Sequence, residues 1–198
     1  MDELDKAVEV ALKGPLAEKA LANQHRQMQE WGMTMPPGQA VVLDFGLGQF
    51  DRVGEIEHWI ANEVEAGYCG KFLFVQDGQT CPMHYHKEKH ETFFIVKGSV
   101  LMVLDGVERK IKEGDVLSVD QGKAHCFTGI GPALVLEISK PCLMSDNYFD
   151  NQDINVGRAH EEQRHLTAHG SEPIHGTSRQ SHVTSGAKTP NEPLKKTP

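Results

Sequence analysis

The chain has 198 residues, 38% of them hydrophobic, a formal charge of −8 and a pI near 5.7. That composition fills one sizeable core, and its acidity argues against nucleic-acid backbones and membrane surfaces as partners. The acidic start Met1-Asp2-Glu3-Leu4 does not read as a secretory signal, and no apolar run approaches the roughly 20 residues that span a bilayer. The expected location is therefore cytoplasmic. There Cys69, Cys81, Cys126 and Cys142, which form no CxxC pair, are expected to be reduced packing residues.

Residues 3–13 predict an amphipathic helix, because Leu4, Ala7, Val8, Ala11 and Leu12 share one face. Gly14-Pro15 stops it, and a second helix is predicted from Leu16 to about Gln29. Residues 1–35 thus read as an N-terminal helical arm, packed outside a core or across a subunit interface. Pro36-Pro37-Gly38 breaks the helical pattern. Short β-type runs follow at 40–45, 71–75, 92–96, 100–104, 116–119 and 133–139. Asp105-Gly106 between apolar runs predicts a type I′ hairpin. Many strands without intervening helices make residues 36–160 an all-β sandwich or closed barrel. Residues 161–198 are poor in large apolar side chains and predict a disordered tail.

The chemistry concentrates in Gly78-Gln-Thr-Cys-Pro-Met-His84-Tyr-His86-Lys-Glu-Lys-His90-Glu91, continuing to Gly98. On a strand, His84 and His86 point to the same side and can grip one ion, while Tyr85 points away. The polar stretch from Lys87 to His90 reads as a turn that brings Glu91 back. His125 follows a second glycine-containing turn after Gly114 and Gly122. Three imidazoles and a carboxylate suit Mn, Fe, Co, Ni or Zn. On an octahedral ion they leave two positions for a chelating substrate or a water.

The first segment fits the first cupin motif, G-x5-H-x-H-x4-E-x6-G, at every position. The second resembles the other cupin motif, with Asp120 in place of its proline and Gly129 in place of its asparagine. Cupin membership implies a single jelly-roll β-barrel with His84, His86, Glu91 and His125 as metal ligands. The flanks resemble D-lyxose isomerases. Leu43-Asp44-Phe45-Gly46-Leu47-Gly48 with Phe50, Lys71, Pro82-Met83-His84-Tyr85-His86, Leu136-Glu137-Ile138-Ser139 and Ser145-Asp146-Asn147-Tyr148-Phe149 carry the likeness, over roughly residues 40–155. After Glu91 the chain departs from that family, with Thr92 to Gly98 and a short hairpin where the family has a long insertion.

The resemblance implies a metal-dependent aldose–ketose isomerase, with Mn2+ favoured over Fe2+, Co2+, Ni2+ or Zn2+. Glu137, in an otherwise apolar run, is the expected base, alone or shared with Asp146. Lys71 is the expected cation beside the developing oxyanion. The alternatives are a non-haem dioxygenase or a non-catalytic sugar-binding cupin. A small-molecule sugar is the expected partner, and the sheet edges of such barrels imply a homodimer.

Overall fold

A computed structural model of the chain describes residues 2–156; the tail expected at 161–198 lies outside the described residues. Helix α1 (Glu3–Val10) opens with Asp2 accepting from the Asp5 backbone N–H, and Asp5 reciprocating. It stops three residues before the sequence predicts. The N–H of Leu12 bonds the Val42 carbonyl at 2.8 Å instead of continuing the helix, which ties the arm to the barrel. Helix α2 (Pro15–Glu30) starts with Pro15 in its first turn, where a missing N–H costs nothing.

Eleven strands follow: β1 (Val41–Leu43), β2 (Glu55–Glu63), β3 (Tyr68–Val75), β4 (Thr80–Tyr85), β5 (Glu91–Lys97), β6 (Ser99–Leu104), β7 (Val107–Lys112), β8 (Val116–Val119), β9 (His125–Gly129), β10 (Ala133–Ser139) and β11 (Tyr148–Phe149). They form two antiparallel sheets, ordered β1-β2-β3-β10-β5-β8 and β11-β4-β9-β6-β7. This is the all-β barrel the sequence implies. The β6–β7 turn takes positive φ at both central residues, Asp105 (48°) and Gly106 (76°), as type I′ geometry demands.

One apolar cluster, including Val75, Ile95, Val100, Met102 and Phe127, fills the space between the sheets. A second lies outside the larger sheet, where Ala17, Ala20 and Met28 of α2 cover Ile56, Phe74 and Leu134. The arm therefore packs on its own barrel. Strand β2 is absent from the sequence reading. Its pocket-facing positions are Glu55, Glu57 and Trp59, so the apolar alternation that signals a strand is missing there.

Candidate metal centre

Strands β4 and β9 pair so that His84 stands opposite His125, and His86 follows one residue beyond β4. Each imidazole is oriented through Nδ1 by a backbone carbonyl. His84 meets Pro82 at 2.8 Å, His86 meets Asp146 at 2.7 Å and His125 meets Lys123 at 2.9 Å. With Nδ1 as the donor, each Nε2 keeps its lone pair. The three rings form a buried group whose ligand atoms lie within 4.8 Å of one another. Burial, with His125 and His86 alongside, holds His84 well below the ordinary histidine range, so it stays neutral.

Glu91, first residue of β5, faces them from the other sheet. Its Oε2 lies 3.1 Å from His125 Nε2, and its Oε1 lies 3.4 Å from His86 Nε2. Glu91 Oε2, His86 Nε2 and His125 Nε2 are buried without a hydrogen-bond partner. Buried donors and acceptors are normally satisfied, so convergent orphans of this kind fit a cation. The three histidines could hold a divalent transition metal.

Beside this group lies a layer of buried charge. Glu55, Glu57, Lys71, Lys89, Glu91 and Glu137 are all between 1% and 6% exposed. Across the larger sheet Trp59, Lys71, Glu137 and Phe93 stand in register on β2, β3, β10 and β5. Lys71 Nζ donates to Glu57 Oε1 at 2.7 Å and lies 3.4 Å from Glu137 Oε2. Lys89 Nζ lies 2.7 Å from Glu91 Oε1 and 3.2 Å from Glu137 Oε1, and the Ser139 hydroxyl also donates to Glu137. Burial works against the charge on both lysines, but Glu137 and Glu57 hold Lys71, and Glu137 and Glu91 hold Lys89, above the ordinary lysine range. Burial likewise pushes Glu57 up, yet Lys71 brings it below the usual carboxylate value. Glu55 has no such cation in contact, and burial next to Glu57 pushes it from 4.5 to about 8.

The sequence places Lys71 and Glu137 at the site, and both line the pocket. Asp146 behaves differently. Its carboxylate accepts backbone N–H groups of Lys87, Glu88 and Lys89, with contacts of 2.9–3.3 Å. It is turned to the β4–β5 turn and is not among the pocket-lining residues. The reason is local: the N–H groups of that turn have no ladder partner and need an acceptor. Tyr85 points away from the histidines, stacking on Tyr148 at 5.0 Å. His90 lies outside the cavity, 3.3 Å from Asp120. Sequence reasoning missed Glu55, Glu57 and Lys89. The Glu-x-Glu-x-Trp spacing was the available signal for the first two.

Gly129, which stands where the second cupin motif has asparagine, is fixed by close approach. A Cβ there would lie 2.2 Å from the Gln76 carbonyl oxygen.

Residues 72–139 match the family described as Cupin domain. That stretch is similar to a cupin domain. The L-ribose isomerase of Cellulomonas parahominis without ligand superposes with a TM-score of 0.60 at 15% identity, covering 75% of this chain and 96% of that one. The Acinetobacter sp. DL28 L-ribose isomerase in complex with L-ribose gives 0.60 at 16% identity, with the same coverage of 75% and 96%. At these identities the likeness is one of fold. An uncharacterized protein of Aquifex aeolicus (strain VF5) is 36% identical over 53 residues, spanning 27% of this chain and 44% of that protein. The matched stretch contains the histidines and Glu91, while Glu55 and Glu57 come from β2, upstream of it.

Proposed function

We propose that the chain is a metal-dependent aldose–ketose isomerase of a free sugar, of the D-lyxose/D-xylulose or D-mannose/D-fructose type. The observation that carries this reading is the placement of Glu137 between Lys71 and Lys89, in the pocket that His84 and Glu91 also line. His84, His86, His125 and Glu91 would hold the ion, Mn2+ by family resemblance, with Fe2+, Co2+, Ni2+ or Zn2+ compatible with the same donors. Bound there, the metal supplies Lewis-acid polarisation of the substrate carbonyl and its neighbouring hydroxyl.

The chain's own groups supply the rest. Glu137 takes the proton from one carbon and returns it to the next. Lys89 and Lys71 place positive charge beside the oxygen that becomes negative as the proton leaves. Asp146 fixes His86 and aims Lys89. The aromatic wall of Phe45 and Phe149 (ring centroids 5.5 Å apart) screens the pocket from water. The fold likeness to L-ribose isomerases supports a sugar ligand and adds L-ribose to the candidates. Six buried ionisable groups suit a polyol better than the apolar substrate a dioxygenase would take. A homodimer in the cytoplasm completes the reading.

The test is solvent exchange. Metal-stripped protein, with and without Mn2+, is incubated in D2O with a panel of free aldoses and followed by NMR. Metal-dependent deuterium at C2 together with ketose formation is the expected result. Absence of exchange with every sugar, despite bound metal, removes the isomerase reading and leaves a binding cupin.

A further inference from the structure

Among the described residues, five buried side-chain atoms lack a hydrogen-bond partner: Gln24 Nε2, Glu55 Oε2, His86 Nε2, Glu91 Oε2 and His125 Nε2. Three of these are the convergent donors of the metal centre, and Gln24 lies on α2, outside the barrel. Glu55 Oε2 is the orphan that remains inside the pocket.

The other pocket carboxylates are committed. Glu57 receives Lys71 on Oε1 and the Trp59 indole N–H on Oε2 at 2.8 Å. Glu137 receives Lys89 and Ser139 on Oε1, with Lys71 beside Oε2. Glu91 divides between Lys89 and the histidines. Glu55 contacts the Cys81 thiol, a weak partner, and its Oε2 has no hydrogen-bond partner in the protein. A buried unsatisfied carboxyl oxygen is costly, and its retention calls for a ligand.

Resting on the isomerase reading, we propose that Glu55 is a substrate-binding residue: its free Oε2 pairs with a hydroxyl of the sugar beyond the two oxygens that the metal reaches. Its neighbourhood fixes the chemistry of that end of the ligand. Glu57 lies on the same face of β2, two residues on, so an anionic terminus such as phosphate or carboxylate would meet two carboxyl groups. An uncharged hydroxyl can donate to an ionised Glu55 and can also accept from a protonated one, so it pairs with either state. A site built to pair a hydroxyl discriminates strongly against ligands lacking it, because the buried protein group is then left unpaired.

The test uses calorimetric binding of ribitol, xylitol and ethylene glycol to the full Mn2+-loaded chain and to the E55L and E55Q variants. Ethylene glycol offers only the metal-chelating pair. The expected result is a loss of at least tenfold in pentitol affinity for E55L, near-complete rescue in E55Q, and unchanged ethylene glycol affinity. Mn2+ affinity, measured separately, is expected to be equal in all three proteins. Equal pentitol affinity in wild type and E55L overturns the role of Glu55 while leaving the isomerase reading intact. Failure of the wild type to bind any of the three overturns both.

Discussion

His86 is held by Asp146: its Nδ1 donates to the Asp146 backbone carbonyl at 2.7 Å, while the Asp146 carboxylate gathers the N–H groups of the turn that follows His86. Asp146, in the short turn between β10 and β11, thus sets both the His86 ring and the reach of Lys89. Replacing Asp146 by Ala keeps the carbonyl but frees the turn. Mn2+ affinity is expected to fall about 10–100-fold, the usual effect of losing an outer partner of a metal site. Chelator competition measures it, and unchanged affinity would show that the turn holds its shape without Asp146.

Glu137→Gln keeps the shape and most hydrogen bonds but removes the basic oxygen. Deuterium exchange is expected to drop roughly 10²–10⁴-fold, the scale of general base catalysis, with metal content unchanged. Lys89→Met is expected to cost about 10²–10³-fold, as loss of one electrostatic stabiliser does. Full activity in either variant would place the chemistry elsewhere.

Lys71 and Glu57 are a buried ion pair. Lys71→Met strands an uncompensated carboxylate and is expected to destabilise the fold by about 3–5 kcal/mol. The double change Lys71→Met with Glu57→Leu is expected to recover most of that loss. Urea titration of the three proteins decides the matter: no recovery in the double variant would mean that Lys71 stabilises through other contacts.

Glu55 gives a pH signature with a defined sign. Its folded value, about 8, lies above 4.5, so the native state keeps the proton that the unfolded chain releases. Its contribution to stability is intact below pH 4.5 and is lost as pH rises towards 8. The Glu55→Gln variant is therefore expected to gain on the wild type progressively across that window. Parallel curves of Tm against pH would contradict this.

Metal binding to the native state alone is expected to raise stability by about 2.7 kcal/mol at a hundredfold excess over Kd. His84→Ala, His86→Ala and His125→Ala should each lose most of that increment. Thermal scans with and without Mn2+ measure it.

The parts of this molecule legible in the sequence are those where local pattern and tertiary role coincide. His84-x-His86 announces itself because strand alternation forces the two rings to one side. Asp105-Gly106 is read from φ alone. Strand β2 is hidden because Glu55 and Glu57 occupy positions that an ordinary strand gives to apolar residues, so the site's chemistry erases the strand's signature. Lys89 is hidden in a polar run between Lys87 and His90, since nothing local tells a buried lysine from a solvated one. The duty of Asp146 depends on contacts 57 to 60 residues away, which no window on the sequence contains.

Four buried carboxyl groups, Glu55, Glu57, Glu91 and Glu137, share the pocket with two ammonium groups, Lys71 and Lys89. Fully ionised, the cage falls two positive charges short of neutrality, which is the charge of one divalent ion. Without the ion, the proton retained by Glu55 supplies part of that deficit. In a medium of low polarisability these two sources of positive charge are felt across the whole cage. An ion held by the histidines and the proton on Glu55 would therefore compete for one electrostatic vacancy, and a chain taking up metal near neutral pH would acidify its surroundings as it did so.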